Sequence, residues 1–280
     1  MMIAAAVFGL LFVLFLPMAY LGWRLDRAPV DCVEDVVVRG RPDGRLLLCL
    51  GDSITHGHIG ADWVGAVREA NPGLTVVNGG CNGEMAWNVR QRLDEAMSLK
   101  PDAVTLLIGT NDVMAAHRTD RAEAYVRQNK LPRTPDLQWS TEQLTGLIAE
   151  LASRRVPLAV LTIPPLGDDP TEDVTPIVAS WNDRIRALVG ATPATLLDLH
   201  AALTPLTPPS GGRQYRGGGF EIVTWIGAAL ARHYLMGRTW DQIATHAGWS
   251  VTVDGIHLSD RGGQAALALI QPWLDDATAQ

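Results

Sequence analysis

The sequence predicts an α/β domain built on a parallel sheet wound on both faces, and three observations carry that prediction. Short, mostly continuous apolar runs recur over 46–50, 74–77, 103–108, 158–163 and 195–199, each bounded by Gly, Pro or Asn. Runs of this length without alternation suit strands covered on both faces. Apolar residues at helical spacing lie between them, and a chain of 280 residues suits one such domain with an appendage.

Taken in order, the chain opens on an uncharged stretch over 1–23 that runs through Ala4, Val7, Leu10, Leu11, Phe12, Val13, Leu14, Phe15 and Leu16. About 20 apolar residues suffice for a helix to cross a bilayer. No basic residue precedes the stretch and no clear small-residue cleavage site closes it, so the expectation is an uncleaved transmembrane anchor and a membrane location, with a cleaved signal peptide as the alternative. Arg24 and Arg27 follow it, which tilts the domain that comes after toward the cytoplasmic side without fixing it. Residues 24–44 are acidic and carry Pro29, Gly40, Pro42 and Gly44, the composition of a linker. The domain is expected over 45–280. Within it, Leu144, Leu147, Ile148 and Leu151 form the clearest helical stripe, with Ser140 and Gln143 spaced as a capping box. Ile177, Trp181, Ile185 and Leu188 form a second, with Pro176 near its start.

The balance of 30 acidic against 23 basic residues gives a net charge of -7, and nucleic acid is excluded as a partner because phosphate binding needs a concentrated basic face. Cys32, Cys49 and Cys81 lack paired spacing, so they read as free thiols and not as a disulfide or zinc framework. Neither a phosphate loop nor an H-E-x-x-H motif occurs, and no metal or organic cofactor is called for.

In doubly wound sheets, chemistry collects beyond the carboxyl ends of the strands. After the first run stand Gly51, Asp52 and Ser53, followed by a helical pattern. A serine at that turn points its hydroxyl out of the sheet edge, although Asp or Ser there also serves as a plain helix cap. After the second run comes the glycine-rich loop Asn78, Gly79, Gly80, Cys81, Asn82, Gly83. After the third, Gly109, Thr110, Asn111 and Asp112 put an amide at a strand mouth, as an oxyanion donor or as an ordinary Asx-turn. Near the C-terminus, Asp254 and His257 stand three residues apart before an apolar helix. A serine hydroxyl needs a base to take its proton, and the base needs a carboxylate to fix its tautomer. Ser53, His257 and Asp254 supply those roles, and the other six histidines have no comparable setting.

These four segments, spread over 45–274, resemble the SGNH hydrolases, also called GDSL esterases and lipases. The resemblance implies a three-layer α/β/α, flavodoxin-like fold. It implies Ser53 as nucleophile with His257 and Asp254 completing a triad. It also implies an oxyanion hole made by the Ser53 N–H, the Gly83 N–H and the Asn111 side chain; Gly83 is chosen over Gly79 and Gly80 because it lies five residues after Asn78. The first block reads GDSI in place of GDSL, and Thr55 stands where a nucleophile elbow would have its last glycine, so the α/β-hydrolase pattern is disfavoured.

The expected reaction is hydrolysis of a carboxylic acyl ester, on a small-molecule, lipid or carbohydrate substrate, through an acyl-enzyme on Ser53. An acyltransferase passing the acyl group to a carbohydrate is the alternative. A silent binding module is the reading from outside enzymology, disfavoured by the complete set of five site residues. Residues 205–249 form a long helical insertion before Asp254, in which Ile222, Val223, Ile226, Ala229, Leu230 and His233 recur at helical spacing. That stripe serves either as core packing or as a cap over the site.

Overall fold

The computed structural model describes residues 16–278. Its sheet has strands β1 (Leu46–Gly51), β2 (Thr75–Gly80), β3 (Ala103–Leu107), β4 (Leu158–Leu161) and β5 (Thr195–Leu197), all pairs parallel, in the order β2-β1-β3-β4-β5. Every residue of β1 is buried, as expected of a central strand sandwiched between helices. From β1 the chain moves outward to β2 and then crosses back to β3. That reversal makes the carboxyl ends of β1 and β3, where Gly51 pairs with Leu107, the topological switch point.

Right-handed crossovers on either side of a reversal put helices on opposite faces of the sheet. One layer holds α3 (Trp63–Ala70), α10 (Leu199–Leu203) and α13 (Asp260–Thr278); the other holds α4 (Ala86–Gln91), α6 (Thr110–His117), α8 (Leu137–Ser153) and α9 (Thr175–Gly190). The structure is therefore the three-layer α/β/α arrangement expected. In α8 the predicted stripe of Leu144, Leu147, Ile148 and Leu151 is buried, but the helix begins one turn earlier than the expected capping box. Asp136 accepts from the Trp139 N–H at 2.8 Å and takes over the capping, which leaves Ser140 inside the helix.

Strands β4 and β5 each end two residues sooner than their apolar runs. Past β4, the side chain of Asn182 in α9 both accepts from the Ile163 N–H (2.9 Å) and donates to its carbonyl (3.1 Å), replacing a strand neighbour. Past β5, Asp198 turns the chain into α10 by accepting from the Ala201 N–H.

The N-terminal expectation requires correction. Among the described residues no helix is long and apolar enough to cross a membrane, so a transmembrane helix over 1–23 and a single-pass anchor are not supported; residues 1–15 of that stretch lie outside the described residues. The described part, residues 16–26, is helical, and it turns Leu21 and Leu25 onto the domain. The stretch expected as a linker contains α1 (Val33–Arg39), whose Val33 and Val36 enter the main core.

The predicted insertion contains α11 (Gly219–Leu230), a π-turn over Ala231–Leu235 and α12 (Trp240–Ala247). Its stripe is used for packing: Ile222 joins the main core, while Ala229 and Leu230 join Ile59, Trp240, Ile243 and Val253 in a second apolar cluster. Leu21 and Leu25 close that cluster from outside, and Val223 faces solvent.

Candidate active site

Strand β1 delivers Ser53 to the switch point through Gly51, where any Cβ would collide with the Leu107 carbonyl and the Thr55 side chain. Only glycine lets β1 and β3 close up there. Asp52 caps the single-turn helix α2 (Ser53–His56) by accepting from the Ile54 N–H at 2.9 Å, which leaves the Ser53 N–H in the uncommitted first turn. Asn78 braces the other end of that turn, donating to the Thr55 carbonyl at 2.9 Å while its Oδ1 accepts from the Gly80 N–H.

The loop before α13 carries Asp254 and His257. Asp254 Oδ1 accepts from the backbone N–H groups of Ile256 (3.0 Å) and His257 (2.8 Å), so one carboxylate oxygen shapes the loop. The other oxygen lies 2.7 Å from His257 Nδ1, and His257 Nε2 lies 2.8 Å from Ser53 Oγ. A carboxylate accepts only, so it keeps the proton on Nδ1 and leaves the Nε2 lone pair facing the serine hydroxyl. Asp254 and His257 are buried, and Ser53 is 8% exposed. A proton can pass from Oγ to Nε2 along this chain with water largely excluded.

Asn111 sits in the first turn of α6, opened by Gly109 at φ +127°, where the indole of Trp181 also occupies the place of a Cβ. The Asn111 amide is held at both ends: Nδ2 donates to the Glu84 carbonyl at 2.8 Å, and Oδ1 accepts from the hydroxyl of Tyr125 at 2.6 Å. One of its two N–H groups remains uncommitted. Gly83 adopts φ +76°, a conformation that favours glycine, and its carbonyl accepts from Asn129 Nδ2 at 2.8 Å. Asn111 and the Gly83 turn thus meet through Glu84. Arg92 anchors the same loop, donating to Glu84 Oε2 (2.8 Å) and to the Gly79 carbonyl (2.7 Å). Burial raises the Glu84 carboxyl, and the Arg92 cation opposes that rise.

Several participants went unnoticed in the sequence. Tyr125 lies in α7 (Thr119–Asn129), one helix beyond Asn111, and nothing in its spacing signals the pairing. Asp52 and Asp112 are both buried, and burial pushes each carboxyl up to about 7. Their adjacency to Ser53 and Asn111 in the chain was the one available signal. Asp112 Oδ2 accepts from the Ala86 N–H at 3.0 Å, joining α6 to α4.

A family model for GDSL-like lipases and acylhydrolases matches residues 49–265, and no curated protein matches the chain. Among solved structures, an acetylxylan esterase from Geobacillus stearothermophilus is similar with a TM-score of 0.56 at 18% identity, covering 84% of this chain and 95% of that one. A lipase/acylhydrolase from Enterococcus faecalis is similar with a TM-score of 0.52 at 21% identity, over 82% of this chain and 96% of the other. At such identities the likeness shows the fold. The family match covers most of the chain, including the segments that carry Ser53, Gly83, Asn111, Asp254 and His257: the chain belongs to the GDSL-like lipase/acylhydrolase family and is an SGNH-type esterase.

Proposed function

We propose that the protein removes a short acyl group, acetyl in the first instance, from a hydroxyl of a carbohydrate, through an acyl-enzyme on Ser53. The observation that carries the mechanism is the buried hydrogen-bond chain from Asp254 through His257 to Ser53 Oγ. Ser53 Oγ attacks the ester carbonyl carbon as its proton moves to His257 Nε2. The carbonyl electrons move to oxygen, and the oxyanion is received by the N–H groups of Ser53 and Gly83 and by Asn111 Nδ2. Collapse expels the alcohol, which takes the proton from His257. Water then repeats the sequence on the acyl-enzyme, releasing the carboxylic acid and Ser53. Asp254 stabilises the imidazolium formed in each half-reaction.

The acyl and alcohol portions are the finer part of the reading. Restricted access to Ser53 supports a small acyl group. The acetylxylan esterase among the similar structures supports a carbohydrate as the alcohol. A panel of acetyl to octanoyl esters, together with acetylated xylo-oligosaccharides, tests both. Activity should be highest on acetyl esters and should vanish in Ser53→Ala. Preference for octanoyl esters would overturn the short-acyl reading, and turnover that needs a carbohydrate acceptor would replace hydrolysis by acyl transfer.

A further inference from the structure

Asn111 is held by more than its place on α6. The Tyr125 hydroxyl is 2.6 Å from Asn111 Oδ1, and its oxygen receives Arg121 Nη2 at 3.1 Å. The Arg121 guanidinium lies 4.9 Å from the centroid of the Tyr125 ring and forms no ion pair among the described residues. Tyr125 is fully buried and Arg121 half-buried, both on α7, four residues apart and on one face of the helix. Among the described residues the one further hydrogen-bond contact of the Tyr125 hydroxyl is Met114 Sδ, a weak acceptor at 3.9 Å, so its proton goes to Oδ1.

We propose that Tyr125 and Arg121 are positioning residues of the oxyanion hole, forming a relay that runs from the Arg121 cation through the Tyr125 hydroxyl to the Asn111 amide. The inference rests on the oxyanion role given to Asn111 above. Two physical effects follow from the geometry. A donor at Oδ1 and an acceptor, the Glu84 carbonyl, at Nδ2 fix the amide's orientation, so the free N–H cannot be exchanged for the carbonyl oxygen by a flip. Donation to an amide oxygen also draws electron density from its nitrogen, and donation from Arg121 to the tyrosine oxygen strengthens that pull, each bond polarising the next in one direction. Such a relay acts most where negative charge develops at its far end. It therefore stabilises the tetrahedral intermediate more than the bound ester.

The test is a double-mutant cycle on acetyl ester hydrolysis. Tyr125→Phe removes only the hydroxyl and should lower kcat about 10-fold, a fraction of what losing an oxyanion donor costs, with KM changed by less than about 2-fold. In an Asn111→Ala background the same substitution should cost less than about 2-fold, because the relay then ends on nothing. Arg121→Gln should follow the same pattern with a smaller loss, and Arg121→Lys should recover part of it. If Tyr125→Phe does not fold, the Arg121→Gln cycle gives the same reading from a half-exposed position. Equal losses with and without Asn111, or a change confined to KM or to melting temperature, would overturn the relay. Fluorophosphonate labelling of the wild type separates the two levels: absent labelling of Ser53 removes the mechanistic reading itself, whereas normal labelling with an additive cycle removes the relay alone.

Discussion

The six-membered ring of Trp249 abuts Gly255, so that a Cβ at Gly255 would come within 2.9 Å of Trp249 Cη2. Gly255 has φ +85° and stands between Asp254 and His257, and its carbonyl accepts from the Gly167 N–H at 3.0 Å. The end of the insertion therefore sets the shape of the loop that carries Asp254 and His257. Gly255→Ala should add strain of about 1–2 kcal/mol from the left-handed backbone alone, with displacement of the tryptophan besides. Turnover should fall together with melting temperature; an unchanged kcat would show that Asp254 and His257 tolerate a shift of the loop.

Ser53, His257 and Asp254 form one hydrogen-bonded chain, so their losses should not multiply. Ser53→Ala and His257→Ala should each remove nearly all turnover, and the double variant should be little worse than either. Asn111→Ala should cost on the order of 100-fold in kcat. Steady-state kinetics on one acetyl ester measures all four, and a loss in the double variant equal to the product of the single losses would dissolve the triad.

The buried carboxyls of Asp52 and Asp112 make stability depend on pH. Burial pushes both up to about 7, so between the ordinary 3.8 and that value the folded chain holds protons that the unfolded chain has released. Their contribution is complete below the lower value and is lost as pH rises through the upper one. Burial, and then the neighbouring His58, lower His56 to about 4, and its contribution runs the other way, present above 6.5 and lost as pH falls toward 4. Asp112→Asn keeps an acceptor for the Ala86 N–H but cannot ionise. Its melting temperature should gain on the wild type between pH 5 and pH 8, and a constant difference would mean that Asp112 does not titrate in this range.

The helix over 16–26 joins three parts of the site's surroundings. The Leu25 carbonyl accepts from Asn82 Nδ2 at 2.9 Å, Arg24 lies 4.2 Å from the centroid of the Tyr234 ring, and the Tyr234 hydroxyl donates to the His58 carbonyl at 2.8 Å. A chain beginning at Ala28 loses Leu21 and Leu25 from the second cluster, about 2–3 kcal/mol for two half-buried leucines. It should melt several degrees lower and turn over more slowly. Unaltered melting and kinetics would reduce this helix to a passive appendage.

What the sequence disclosed and what it concealed divide along the range of the interactions. The strands were legible because burial on both faces leaves unbroken apolar runs, yet β4 stops at Leu161 because Asn182, distant in the chain, substitutes for a strand. Ser53, Asp254 and His257 were legible because local geometry dictates their motifs: Asp254 can shape its own loop only from three residues before His257. Tyr125 stands 14 residues from Asn111, at a separation fixed by how α6 and α7 pack, and no local pattern encodes that. The run over 1–23 was read by composition alone, which does not foretell that its described part, from residue 16 on, is a helix with Leu21 packed on an apolar cluster of the domain.

The segment before α1 also guards the sheet. Strand β2 lies at an edge, where unpaired N–H and C=O groups template pairing with other chains. The Asn78 N–H is taken by the Asp31 carbonyl at 2.9 Å, and Cys32 bridges to Asn78 in parallel. The opposite edge, β5, is only three residues long. Damage to the turn at Asp31 and Cys32 would therefore be felt first as self-association, with the β2 edge opening beside the Asn78–Gly83 loop while the buried hydrogen-bond chain of Asp254, His257 and Ser53 is still intact.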